Sequence, residues 1–191
     1  MGRVVVSEFI TLDGVYQDPG GVGEIDAGGW AFRFERGPEG DRFKLDEVMA
    51  AGALLLGRVT YEGFAKAWPT MPRDQAGFAD RMNSLPKYVV STALVDPAWN
   101  NSTVLRGDLA EAVDGLRKEI DGDILVNGSG EVVRALLDHD LVDELRLMLF
   151  PIVLGAGKRL FGESARPATL RPLTTTRSGD CVILTFERPR P

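Results

Sequence analysis

The stretch Ile124–Leu137, ILVNGSGEVVRALL, limits the fold more than any other part of the chain. It reads as three apolar residues, a small polar turn with two glycines one residue apart, and then apolar side chains at helical spacing. Val132, Val133, Leu136 and Leu137 fall at i, i+1, i+4 and i+5, so one face of a helix is apolar and packs on a sheet. The helix begins near Gly128 or Ser129. Its first backbone N–H groups have no intrahelical partner and carry the positive end of the helix dipole, so an anion fits there if no side chain blocks the approach. Gly128 and Gly130 remove that block. The same glycines equally suit a turn that needs φ > 0 or close packing, and both readings stay open.

Two further strand ends lead into similar turns. Ala53–Leu56 is a short apolar strand followed by GRVTYEGFAKAW, a turn running into a helix, and Lys87–Ser91 is a strand ending in Ser-Thr. Arg3–Ile10 reads as the first strand, Asp41–Ala51 as a helix with Phe43, Leu45, Val48 and Met49 on one face, and Gly52 as its end. Thr103–Leu105 is another short strand, and Leu109–Ile120 a helix capped by Asp108. Leu145–Leu154 is a strand broken at Pro151, followed by the Gly-rich connection GAGKRLFGE. Thr169–Thr176 and Cys181–Glu187 form a hairpin around Ser178-Gly179. Strands alternating with helices and ending in a hairpin imply an α/β fold with a mixed, mostly parallel sheet, an antiparallel edge and helices on both faces. Ligands in such sheets sit at the carboxyl ends of strands, where Gly57-Arg58, Ser91-Thr92 and Asn127–Gly130 line up.

With 191 residues and no repeat or linker, one domain over 1–191 is expected. The formal net charge of −6 argues against a nucleic-acid backbone as partner, since such surfaces need clustered Lys and Arg. A single cysteine, Cys181, and a single histidine, His139, leave no material for a disulfide framework or a Cys/His zinc site. Cys181 in CVILTF reads as a small buried hydrophobe, and His139 as a residue serving the C-terminal carbonyls of its helix. MGRVVVSEFI begins a strand directly, and no apolar run reaches the roughly 18 residues of a membrane span. A cytoplasmic location is expected.

A standard dinucleotide-binding reading of the opening turn fails. The last position of G-x-G-x-x-G is Val133, the motif comes late in the chain, and Phe150-Pro151 stands where the ribose-binding acid belongs.

Taken in order, TLDG, LLLGRVTYEGF, KYVVST, ILVNGSGEVVRALL and LVDELRLMLFPIVLGAGKRLF resemble the dihydrofolate reductase-like superfamily. They are most similar to its riboflavin-biosynthesis reductase branch, found C-terminal in bifunctional deaminase-reductases. The resemblance covers almost the whole chain and implies a three-layer domain that binds NADPH across strand ends, beside a pyrimidine- or pterin-like substrate. Carried over by position, Gly57, Arg58 and Thr60 begin the helix facing the phosphates. Ser91 and Thr92 lie beside the adenosine ribose, and Asn127, Gly128, Ser129, Gly130 and Glu131 form the turn against the pyrophosphate. Arg58 with Ser91 or Thr92 would clamp a 2′-phosphate, which favours NADPH over NADH.

Substrate residues are less defined. Counting sixteen back from Gly57, as the resemblance to dihydrofolate reductases suggests, reaches Asp41, whose carboxylate would bind a 2-amino-4-oxo pyrimidine edge. After RGPEG, Asp41 is also a good helix N-cap, the preferred reading because the reductase branch does not depend on that acid. Asp13 in TLDG orders the first loop, touches substrate, or is a turn residue. The Gly-rich segment after the first strand is long enough to lie over a site. Its Trp30 and the phenylalanines of WAFRF stack on a flat heterocycle or pin the loop. The zinc pattern of a deaminase partner, H-x-E with P-C-x-x-C, is absent from the sequence. The expectation is an NADPH-dependent reductase of the 5-amino-6-(5-phosphoribosylamino)uracil type. The alternatives are a pterin or dihydrofolate reductase and a non-catalytic nucleotide-binding module. A homodimer is expected from the apolar residues around Pro151, if that strand lies at an edge.

Overall fold

The computed structural model describes residues 1–74, 76–162 and 167–189; Glu163, at the end of GAGKRLFGE, lies outside them. The elements are β1 (Arg3–Thr11), α1 (Gly37–Ala50), β2 (Ala51–Gly57), α2 (Arg58–Ala67), α3 (Phe78–Ser84), β3 (Lys87–Val90) and β4 (Ser102–Leu105). They continue with α4 (Leu109–Glu119), β5 (Asp123–Val126), α5 (Gly130–Asp138), β6 (Glu144–Phe150), β7 (Arg171–Ser178) and β8 (Cys181–Glu187). Together the strands form one eight-stranded sheet in the order β4-β3-β2-β5-β1-β6-β8-β7. From β4 to β6 all neighbours are parallel; β8 returns antiparallel to β6, and β7 antiparallel to β8.

Two apolar layers explain why the central strands read as unbroken apolar runs rather than alternating ones. On one face Val113 and Leu116 of α4 and Val132, Val133, Leu136 and Leu137 of α5 pack on Val4, Val6, Ile124 and Val126. On the other, Val48, Tyr61 and Met82 of α1, α2 and α3 pack on Val5, Leu54, Leu56 and Leu125. The helix that follows β2 therefore lies on the face opposite to the helix that follows β5. Because β2 and β5 are neighbours, their carboxyl ends open a crevice between the diverging helices.

Several local expectations are corrected. Pro38 lets α1 start four residues earlier than Asp41, with Arg36 in the N-cap position. Asp41 therefore lies inside the helix and is not its cap. The Gly40 N–H instead donates to Ser178 Oγ at 2.7 Å, a partner at the far end of β7. The inner side of α1 is also partly ionic. Met49 is exposed, while buried Glu47 meets Lys44 at 2.6 Å and Arg146 of β6 at 3.5 Å. Gly52 lies within β2 and does not end the helix. Pro151 does end β6, but β6 is no edge: β1 and β8 flank it. The terminal hairpin thus occupies, within one chain, the sheet position beside β6, while Pro151 and Val153 just beyond the strand are exposed.

Candidate functional site

The carboxyl ends of β3, β2, β5 and β1 lie side by side, and the expected cofactor residues gather there. Gly57 pairs with Val90, so Arg58 and Ser91 are the first residues beyond the paired ends of β2 and β3. Gly57 N–H donates to the Gly128 carbonyl at 3.2 Å, so the β2 and β5 turns touch glycine to glycine. Thr60 Oγ1 and Ser129 Oγ stand 3.3 Å apart across the same contact. Asn127 anchors the turn to β1 through its amide, 3.1 Å from the Ser7 carbonyl.

The glycines have separate reasons. A Cβ on Gly57 would stand 2.3 Å from Ser129 Oγ and 2.8 Å from its Cβ. Gly128 has φ +98° and faces Thr60 Oγ1 at 2.6 Å from the position of a Cβ. Gly130 is covered by the ring of Tyr16, whose Cζ lies 2.3 Å from where its Cβ would be. Close packing is therefore what the structure displays at all three. Anion chemistry is left to the N–H groups: Gly57 has no side chain with which to cap α2, and the Ser129 side chain accepts no hydrogen bond from α5. By contrast α4 is capped in the expected way, Asp108 accepting from Glu111 N–H at 2.9 Å. Two helix N-termini without side-chain caps thus converge on one crevice, an arrangement that favours a diphosphate.

Around the rim, Arg58 meets Glu62 with both oxygens at 3.0 Å, an exposed pair worth only about 0.3–0.5 kcal/mol and easily exchanged for a phosphate. Ser91 Oγ accepts from the Ala93 and Leu94 N–H groups at 3.1 and 2.9 Å, so it shapes its own turn. Thr92 is exposed, and its carbonyl receives Arg106 of the segment after β4 at 3.0 Å. Exposed Glu131 is 3.7 Å from Lys158.

The first loop is held by two carboxylates. Asp13 accepts from Thr11 Oγ1 at 2.7 Å and from the Leu154 and Gly155 N–H groups at 3.2 and 2.9 Å. The Thr11 bond, ahead of those backbone donors, holds its pKa below the usual aspartate range. With the Arg159 guanidinium a further 3.6 Å away, these contacts make Asp13 a joint between two loops. Buried Asp18 accepts four successive N–H groups, from Val22 to Ile25, at 2.6 to 3.4 Å. Trp30 is fully buried, edge-on to Phe150, and donates to the Gln17 carbonyl at 2.8 Å; it pins the loop.

On the α1 side of β1 a cleft of about 530 Å³ is lined by Phe9, Phe32, Phe34, Arg36 and Asp41, among others. The Arg36 guanidinium stands 5.8 Å from the Phe9 ring centre and pairs with Asp41 at 2.8 Å. Asp41, displaced as a cap, remains at the wall of this cleft. His139 is exposed at the opposite end of α5, away from the strand ends, and Cys181 is buried in β8.

Sequence reasoning missed Tyr16, Arg134, Arg106 and Glu8. Tyr16 has no motif of its own, and it is hydrogen-bonded to Arg134, four residues past Gly130. Glu8 did leave a signal, as the one carboxylate inside the strand RVVVSEFIT. Buried charge in a central strand calls for an explanation.

Comparison with known proteins agrees with this architecture. The model of the RibD C-terminal domain family matches residues 3–184. YwjB of Bacillus subtilis (strain 168), itself uncharacterised, is 28% identical over 188 residues, covering 97% of this chain and 98% of YwjB. YyaP of the same organism, also uncharacterised, is 26% identical over 183 residues, covering 95% of this chain and 92% of YyaP. Among solved structures, a Shewanella sp. PV-4 protein provisionally assigned to riboflavin biosynthesis superposes with a TM-score of 0.77 at 22% identity, covering 98% and 99% of the two chains. RibD of Acinetobacter baumannii gives 0.70 at 15% identity, with 99% of this chain matching 58% of that one.

Proposed function

The chain belongs to the RibD C-terminal domain family, a family of reductase domains, and on that footing we propose that it is an NADPH-dependent reductase of a small heterocyclic substrate. The observation that carries this reading is the meeting of two helix N-termini, free of side-chain caps, at the crevice between β2 and β5. The residues present fit a dinucleotide. Glycines at positions 57 and 128 let the two turns approach backbone to backbone with the Ser129 and Thr60 hydroxyls between them, and the N–H groups beyond carry positive charge toward the crevice. Arg58, the residue after Gly57, would meet a 2′-phosphate from the end of β2, which is why NADPH is preferred over NADH.

When bound, the nicotinamide would supply a hydride to a C=N centre, in the riboflavin-type reaction C1′ of a ribosylamine imine. The chain's own part is to hold and orient. The Phe9 and Phe34 rings offer flat apolar surface to a pyrimidine, and Arg36 offers a guanidinium to a phosphate. This combination favours a substrate of the 5-amino-6-(5-phosphoribosylamino)uracil type. One observation favours a pterin-type substrate instead: Asp41 lines the same cleft with its side chain 64% exposed.

The test is titration with NADPH and NADH, followed by a screen of pyrimidine and pterin substrates for loss of reduced-nicotinamide absorbance. Turnover on one class identifies the substrate. Binding without turnover across the panel would favour the non-catalytic module.

A further inference from the structure

One carboxyl oxygen at this crevice has no hydrogen-bond partner among the described residues. Glu8 lies on β1 two residues beyond Val6, which pairs with Val126, so it stands level with Gly128 in the β5 turn. Its residue surface is 7% exposed. The Gly128 amide donates to the carboxyl group, yet among the described residues Oε1 has no hydrogen-bond partner. Tyr16 stands within electrostatic reach of Glu8, and its ring lies on Gly130, so it closes the crevice beside the carboxyl group.

The charged neighbours are engaged elsewhere. From α1, Lys44 donates to Ser7 Oγ at 2.9 Å and pairs with Glu47. On α5, Arg134 donates to the Arg159 carbonyl at 3.1 Å and meets the Tyr16 phenol, and Glu131 pairs with Lys158. β6 presents Leu147 opposite Glu8, and the β5 turn presents Asn127, whose amide is used by Ser7. A buried carboxylate without a cation in contact is costly, so the neutral acid is the favoured form. Burial pushes the Glu8 pKa up to about 8 against the opposing pull of Lys44 and the Gly128 amide. At neutral pH the crevice thus holds an O–H donor facing no acceptor, next to two helix N-termini that attract an anion.

Resting on the cofactor reading above, we propose that Glu8 is a ligand-binding residue of this crevice. With Tyr16 moved off Gly130, its free carboxyl oxygen donates a hydrogen bond to an acceptor oxygen of the bound dinucleotide, so binding requires the neutral acid. A carboxylate there would repel the same ligand.

Calorimetric titration of NADPH into the wild type, Glu8→Gln and Glu8→Leu from about pH 7 to about pH 9.5 tests this. Confining binding to the neutral form of a group titrating near 8 lowers wild-type affinity about 30-fold over that range. Glu8→Gln, an isosteric donor at every pH, keeps the neutral-pH affinity and loses that fall. Glu8→Leu binds weakly throughout. Lys87, also pushed to about 8 by burial, titrates equally in wild type and variants and cancels in the comparison. A protonated-carboxyl infrared band present in the ligand-free wild type and missing from Glu8→Gln locates the proton without any ligand. Identical pH profiles for wild type and Glu8→Gln overturn the proposal even if Glu8→Leu does not fold. A wild type that binds no NADPH at any pH overturns the cofactor reading first, and this one with it.

Discussion

Replacing Gly57 by Ala tests whether the two turns of the crevice are held together by contact between bare backbones. Gly57 has an ordinary φ of −78°, so alanine adds no backbone strain, only a methyl group. That methyl would stand 2.3 Å from Ser129 Oγ, 2.8 Å from its Cβ and 3.1 Å from its N. Only the first two contacts belong to a side chain, and rotation of Oγ cannot relieve the second. The turns must move apart, losing the 3.2 Å hydrogen bond from Gly57 N–H to the Gly128 carbonyl. Overpacking of this kind costs about 1–3 kcal/mol. Ser129→Gly alone removes an N-cap serine that makes no cap bond and the 3.3 Å contact with Thr60 Oγ1, a loss of about 0.5–1.5 kcal/mol that the cycle measures separately. Both short contacts vanish in the double variant, so it recovers most of the loss and shows a coupling of at least about 1 kcal/mol. Urea unfolding of the four proteins measures the cycle, and NADPH titration of the folded ones reads whether separating the helix N-termini weakens the ligand. A Gly57→Ala protein as stable as the wild type, or a double variant no better than the single, would refute the packing argument.

Gly130→Val destabilises the fold through the Tyr16 ring, and adding Tyr16→Ala restores stability; NADPH affinity in that background then reports whether the crevice needs a bare glycine. Arg58→Ala weakens NADPH far more than NADH, as paired titrations would show, whereas an equal loss assigns Arg58 to the shared diphosphate. Because the folded-state pKa of Glu8 is raised, its stabilising contribution is complete below the ordinary glutamate range and is lost as pH rises through about 8. Unfolding free energies of Glu8→Gln relative to wild type should therefore shift in favour of the variant between about pH 5 and about pH 8, by roughly 1.4 kcal/mol per pH unit at most. A homodimer is still proposed, now through the outer strand β7, whose residues Arg171–Arg177 are all exposed. Light scattering at twice the chain mass supports it, and a persistent monomer refutes it.

The alternation of strands and helices, the Asp108 cap and the terminal hairpin were legible in the sequence because each rests on interactions within a few residues. The strand-end turns were legible for the same reason: a glycine-rich break between an apolar run and a helical period marks a parallel strand's carboxyl end. The resemblance of their motifs to the reductase branch then named the family that the comparison found. What the sequence alone could not decide is what lies opposite a residue. It left Asp41 as a cap, because nothing local reveals that Ser178, 138 residues away from Gly40, satisfies the helix end. It left Pro151 to an edge or a bulge, because strand order is a long-range property and only the hairpin's return beside β6 gives that strand a neighbour on each side. It left the glycines open between phosphate approach and close packing, and only the folded chain shows Ser129, Thr60 and Tyr16 against them. Glu8 stood in plain view within an apolar strand, but only burial beside the Gly128 turn makes it a neutral acid. Local periodicity follows from bonds along the chain; desolvation and steric contact exist only once distant segments meet.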